Sequence, residues 1–170
     1  MKRLVPALLL TGLLAAPAHG ATLVRLDGIG PLKLGMSSTG ALDTGWLSDK
    51  QIGCKLGGKP YPVDYRLTGA KAPSGISGSA EFSGGKLANM TFSKGVRTAA
   101  GVVPGVTSWP SMVKRYRDRG FKVSARYDEV FVGTFVSVKR KRGGDSVMVG
   151  FAEKGKSIGM IGVPYIPLCE

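Results

Sequence analysis

The feature that most constrains this chain is a self-similarity at one fixed offset. Leu34-Gly35-Met36-Ser37 is followed 70 positions later by Pro104-Gly105-Val106-Thr107, Gly85-Lys86 by Gly155-Lys156, and Met90 by Met160. Each Gly-apolar-Ser/Thr turn leads into a helix-start signal, and each Gly-Lys pair sits where a hairpin turn is expected. A constant offset over three places divides the chain into two units, residues 21–94 and 95–170. The 26 Gly and 10 Pro exclude a coiled coil. The 43% hydrophobic and 8% aromatic content exclude a disordered chain.

In the second unit, Thr107 or Ser108 caps a helix whose first turn tolerates Pro110, because the first N–H groups have no intrahelical partner. Trp109, Met112, Val113 and Tyr116 fall at the i, i+3, i+4, i+7 spacing of one buried face, and Gly120 stops the helix. Strands are expected at 121–127, 130–139, 146–152 and 157–163. In the first unit, Ser37 to Leu42 reads as a short helix and Trp46 to Gln51 as a second. Tyr61 to Leu67 alternates as a strand, and 77–83 with 86–93 make a hairpin across Gly84-Gly85. The expected fold class is α+β: two tandem repeats, each a short helical segment followed by an antiparallel β-meander, packed as one body because neither unit builds a comfortable core alone.

On Leu34-Gly35-Met36-Ser37, Pro104-Gly105-Val106-Thr107 and the meanders behind them, the chain resembles the β-lactamase inhibitory protein family. It is also similar to the small outer-membrane lipoproteins of the SmpA/OmlA type, which carry one such unit. The resemblance implies an architecture, an open concave sheet used for binding. It transfers no inhibitory residue, because none is matched.

Residues 1–20 have the pattern of a secretory signal: Lys2 and Arg3, then the apolar stretch Leu4 to Ala16, then Ala18-His19-Gly20 before Ala21. No later apolar run approaches the ~20 residues a spanning helix needs, so the expectation is an exported protein with no transmembrane segment. Cleavage near Gly20 leaves 22 Lys/Arg against 11 Asp/Glu, a net charge of +11. It also removes His19, the only histidine, and with it histidine-based nucleophile activation, general-base catalysis and metal ligation. No enzyme, cofactor or metal is therefore expected. In an exported chain, Cys54 and Cys169 are expected to form a disulfide, worth about 4 to 5 kcal/mol in the chain-entropy picture, which tethers the last residues.

The short motifs do not carry chemistry. Gly53 to Lys59 imitates a phosphate-binding loop, but Pro60 stands where Ser or Thr must hold magnesium. Ser111-Met112-Val113-Lys114 and Ser83-Gly84-Gly85-Lys86 imitate a serine acyl-enzyme motif without its companions. Asn89-Met90-Thr91 is a sequon in an expected strand.

Charge is more informative. Residues 107–142 hold ten Lys/Arg against three acids, a net +7, whereas 21–94 carries +4. Alternation in 121–127 and 130–139 places Phe131 and Phe135 on one face with Ser137, Lys139, Lys122 and Arg126, the valines on the other. Aromatic anchors beside arginine are what protein-binding surfaces concentrate. The expected partner is another secreted or cell-surface protein, bound through Phe131, Phe135, Lys122, Arg126 and Lys139. The alternative is an anionic polymer held by Lys114, Arg115, Arg117, Arg119, Arg140, Lys141 and Arg142.

Overall fold

The computed structural model describes residues 20–55, 59–155 and 157–168. The expected signal peptide, up to His19, and Cys169 lie outside them. The elements in chain order are β1 (Thr22–Arg25), β2 (Gly28–Ile29), β3 (Leu32–Lys33), α1 (Ser38–Asp43), β4 (Ser48–Ile52), β5 (Val63–Arg66), β6 (Ser77–Ser83), β7 (Lys86–Lys94), β8 (Val96–Thr98), α2 (Trp109–Arg117), β9 (Lys122–Asp128), β10 (Gly133–Lys139), β11 (Ser146–Glu153) and β12 (Met160–Val163).

The protein is mostly β, which overturns the expected α+β class of two helix-plus-meander repeats. Among the described residues there are two helices, of six and nine residues. The strands form one eight-stranded antiparallel sheet, ordered β4-β5-β6-β7-β12-β11-β10-β9, and a second sheet ordered β3-β2-β1-β8. Two reasons explain the difference. The backbones of β7 and β12 pair directly, Phe92 against Ile161 and Met90 against Val163, so the sheet runs unbroken across the expected boundary. The second sheet is built from strands of two to four residues, too short to show alternation, with β1 running parallel to β8.

The expected helix at Trp46 to Gln51 is also corrected. From Ser48 on, that segment is the edge strand β4, antiparallel to β5. None of the strand's residues is buried, so Ser48–Ile52 has no apolar stripe for a helix to hide, and β5 supplies the hydrogen bonds instead. The two real helices have the caps the sequence indicates. Ser37 accepts from the Gly40 amide, Ser108 from the Ser111 amide, and Pro110 sits in the first turn of α2.

One hydrophobic cluster holds the molecule together. On the inner face of the large sheet, Phe92, Met90, Ile161, Met148, Val136 and Val138 pack with Met112 and Tyr116 of α2 and with Val24, Ile29 and Leu32 of the small sheet. Gly150 in β11 has no room for a Cβ because the Met112 thioether lies against it, which is how α2 settles so close to the strands. The Tyr116 hydroxyl donates to the Met148 sulfur at 2.9 Å.

Candidate functional site

Burial of Val136 and Val138 sends Phe135, Ser137 and Lys139 to the opposite face of β10, where no helix covers the sheet. The ladder then fixes their neighbours. Arg126 of β9 lies across from Phe135, Ser124 from Ser137, and Lys122 from Lys139. On the other side, β11 places Phe151 across from Phe135 and Val149 across from Ser137. Phe135, Ser137, Lys139, Arg126, Ser124 and Val149 border a groove of about 420 Å³, lined also by Asp128 and Ser146 and walled by Tyr165, Ile166 and Leu168 of the C-terminal segment.

Phe131 is not in a strand, as expected, but in the four-residue turn between β9 and β10. The sequence gives no turn glycine there, and Val132 takes the left-handed backbone usually left to glycine, at φ 49°. Asp128 makes this turn possible. Its Oδ1 accepts from the amides of Val130 (3.2 Å) and Phe131 (3.4 Å), and its Oδ2 receives the Arg126 guanidinium at 3.0 Å. One carboxylate thus orients both the aromatic turn and the groove's arginine. Phe131 still joins the expected face. Its ring meets Phe135 edge-on at 5.8 Å, and Phe135 lies 4.6 Å from Phe151, a row of three half-buried rings. At the turn end of the row the apolar surface is open, with Val130 70% exposed.

Of the expected protein-binding residues, Phe135, Arg126 and Lys139 line the groove together; Lys122 stands opposite Lys139 on β9 and Phe131 packs against Phe135, but neither lines it. Phe151 and Asp128 were missed. Phe151 was legible from the alternation Val147, Val149, Phe151 once β11 is paired with β10. Asp128 was legible only as an Asp two residues before a turn amide.

The seven expected polymer-binding cations are not brought together. Lys114, Arg115 and Arg117 ride on α2, with Arg119 just past its C-terminal cap, on the other side of the sheet from the groove. Three of them are engaged locally: Lys114 with Asp118 at 2.7 Å, Arg115 with the Gly101 carbonyl, and Arg117 with the Val123 carbonyl at 3.1 Å. Arg140, Lys141 and Arg142 are exposed in the β10–β11 turn, next to Lys139.

The C-terminal segment reaches its place because Gly162 of β12 has no side chain. A Cβ there would fall on the Tyr165 carbonyl, and the Ile166 side chain is close by. The Tyr165 hydroxyl donates to Glu81 Oε1 at 3.0 Å. Burial, then that hydrogen bond, then the charge of Glu81, push the Tyr165 hydroxyl up to about 12. The Cys54 sulfur lies 3.8 Å from the Leu168 carbonyl oxygen, and no described cysteine is a free thiol. No helix among the described residues is long and apolar enough to cross a membrane.

Compared with protein-family models, with curated proteins and with solved structures, the chain matches none. Its function is therefore argued from this surface alone.

Proposed function

We propose that the chain is a secreted, non-enzymatic binding protein that recognises another secreted or cell-surface protein through the groove face of β9, β10 and β11. The observation that carries this reading is the row Phe131, Phe135, Phe151 flanked by Arg126 and Lys139. Rings held by neighbouring rings lose little conformational freedom on binding, and flanking cations select and steer an acidic partner. The exposed Val130 extends the apolar area at the turn. Export follows from the signal pattern at 1–20, and Cys54 pairs with Cys169 to tether the segment that walls the groove.

The test is partner capture from culture medium by immobilised protein, comparing the natural chain with Val130→Asp and with Arg126→Glu/Lys139→Glu. Because these side chains are exposed or at the rim, melting temperature should stay within a few degrees while retention drops about tenfold or more. Equal retention by all three proteins would sink the reading. An anionic polymer held by Lys114, Arg115, Arg117, Arg119, Arg140, Lys141 and Arg142 would show itself differently, as binding that survives Val130→Asp and collapses between low and physiological salt.

A further inference from the structure

Across the other half of the same face, a polar row crosses three strands. Asp64 of β5 stands opposite Glu81 of β6, which stands opposite Asn89 of β7. Directly opposed side chains start about 4.5–5.5 Å apart at Cβ, so Glu81 stands between Asp64 and Asn89 and within reach of both. The row is not a solvated surface. Glu81 is 6% exposed and Asn89 is fully buried. The Tyr165 hydroxyl closes over Glu81 from the C-terminal segment.

The hydrogen bonding of this cluster is incomplete. Oδ1 of Asn89 and Oδ1 of Asp64 are buried without a partner, and the Asn89 amide nitrogen has only the Tyr165 hydroxyl beside it. Native structures rarely leave a fully buried amide oxygen unbonded. The charges are equally uncompensated. The ion pairs among the described residues are Arg25–Asp27, Lys114–Asp118 and Arg126–Asp128, so no described Lys or Arg is paired with Asp64 or Glu81. Burial and the neighbouring Glu81 accordingly raise the Asp64 carboxyl above its ordinary value. Two adjacent carboxylates, an amide oxygen and a hydroxyl form an all-oxygen donor set with two negative charges and no nitrogen or sulfur.

We propose that Asp64, Glu81 and Asn89, closed over by Tyr165, bind a hard divalent cation of the calcium class. Oxygen-only donors exclude a preference for zinc or copper. The irregular mix of carboxylate, amide and hydroxyl suits calcium's flexible coordination better than the strict octahedron of magnesium. With two carboxylates, the affinity belongs with the weak extracellular modules, at a Kd of about 10⁻⁴–10⁻³ M. The Asn89 carbonyl completes the donor set, and the cation neutralises the Asp64–Glu81 repulsion. This site is separate from the groove and does not depend on the function proposed for it.

The experiment is calorimetric titration of the chelator-treated full protein with calcium chloride and with magnesium chloride, paired with melting curves. The expected result is saturable calcium binding near one ion per chain, weaker magnesium binding, and a melting temperature that rises with calcium. On a protein this cationic, non-specific uptake of a divalent cation is disfavoured, so saturable heat identifies a built site. Asp64→Asn and Glu81→Gln should each weaken calcium binding about tenfold or more. Should Glu81→Gln fail to fold, the half-exposed Asp64→Asn carries the comparison. The proposal is overturned by no saturable calcium heat up to about 10 mM, or by calcium binding that Asp64→Asn leaves unchanged. The cluster would then hold a shared proton instead of a metal.

Discussion

The two halves of the open sheet face have similar shapes and opposite chemistry. Beside β9 and β10 lies a groove of about 420 Å³ lined by the Phe135 ring, Arg126 and Lys139. Beside β5 and β6 lies one of about 310 Å³ lined by Gln51, Asp64, Arg66, Thr68 and Ser79, with no phenylalanine. Both are concave for the same reason, since an antiparallel sheet twists and its outer face is left uncovered. Shape alone therefore does not mark a binding site here. The difference lies in what stands at the outward positions: rings and cations on one side, buried carboxylates and an unbonded amide oxygen on the other. The C-terminal segment keeps the two apart, with Tyr165 tied to Glu81 and Ile166 and Leu168 forming the wall of the cationic groove.

The comparison breaks most completely at Gly162. An added methyl falls on the Tyr165 backbone, which has no rotamer by which to yield, so Gly162→Ala must lift residues 164–168. Expected is a loss of about 2–3 kcal/mol in denaturant unfolding, the upper part of the overpacking range. Amide exchange should quicken at Tyr165, Ile166 and Leu168 while the β9–β10 ladder stays protected. Unchanged exchange in the segment would show that it does not depend on this glycine.

Gly133 offers a more local break. It begins β10 beneath the Phe151 ring, and a Cβ there would fall on that ring and 2.9 Å from the Ala152 carbonyl oxygen. Gly133→Ala should cost about 1–2 kcal/mol, less than at Gly162 because a ring yields more readily than backbone. It should also scatter the ring row and weaken partner capture while leaving the acidic half intact. Capture at full strength would mean that the stacked arrangement of the rings is dispensable.

The caps, turns and amphipathic face of α2 were legible because each is a local signal: Ser108, Pro110 and Gly120 act within one turn of chain. The face of β10 was legible too, since valine at 136 and 138 alternates with serine and lysine at 137 and 139. The sheet as a whole was not. Pairing of Phe92 with Ile161 joins residues about 70 apart through backbone groups that every residue carries, so no side-chain pattern announces it. The strands Gly28–Ile29 and Leu32–Lys33 are too short for periodicity to exist. The candidate site was half legible for the same reason. Phe135, Arg126 and Lys139 follow from alternation, whereas Phe151 needs the register of a second hairpin. The polar row Asp64, Glu81, Asn89 needs the order of three strands. Its sequence trace, single acids inside otherwise ordinary strands, resembled chance.

The smallest effect, and the sharpest probe of what divides the face, is the titration of Tyr165. Burial, together with the hydrogen bond to Glu81 and its charge, raises this hydroxyl from the ordinary 10.0 to about 12. The folded state thus holds the proton more tightly than the unfolded chain. The stability it contributes is fully present below pH 10 and is lost as the pH rises through about 12. Phenolate absorbance of the natural protein minus that of Tyr165→Phe should show one transition near pH 12. Tyr116, also raised by burial, is present in both proteins and cancels from the difference. Tyr165→Phe should also lose less stability than the natural chain between pH 10 and pH 12, because no proton remains to be surrendered there. A difference spectrum centred near the ordinary tyrosine value would mean that the segment stands off the sheet in solution, and the face would then be one continuous surface.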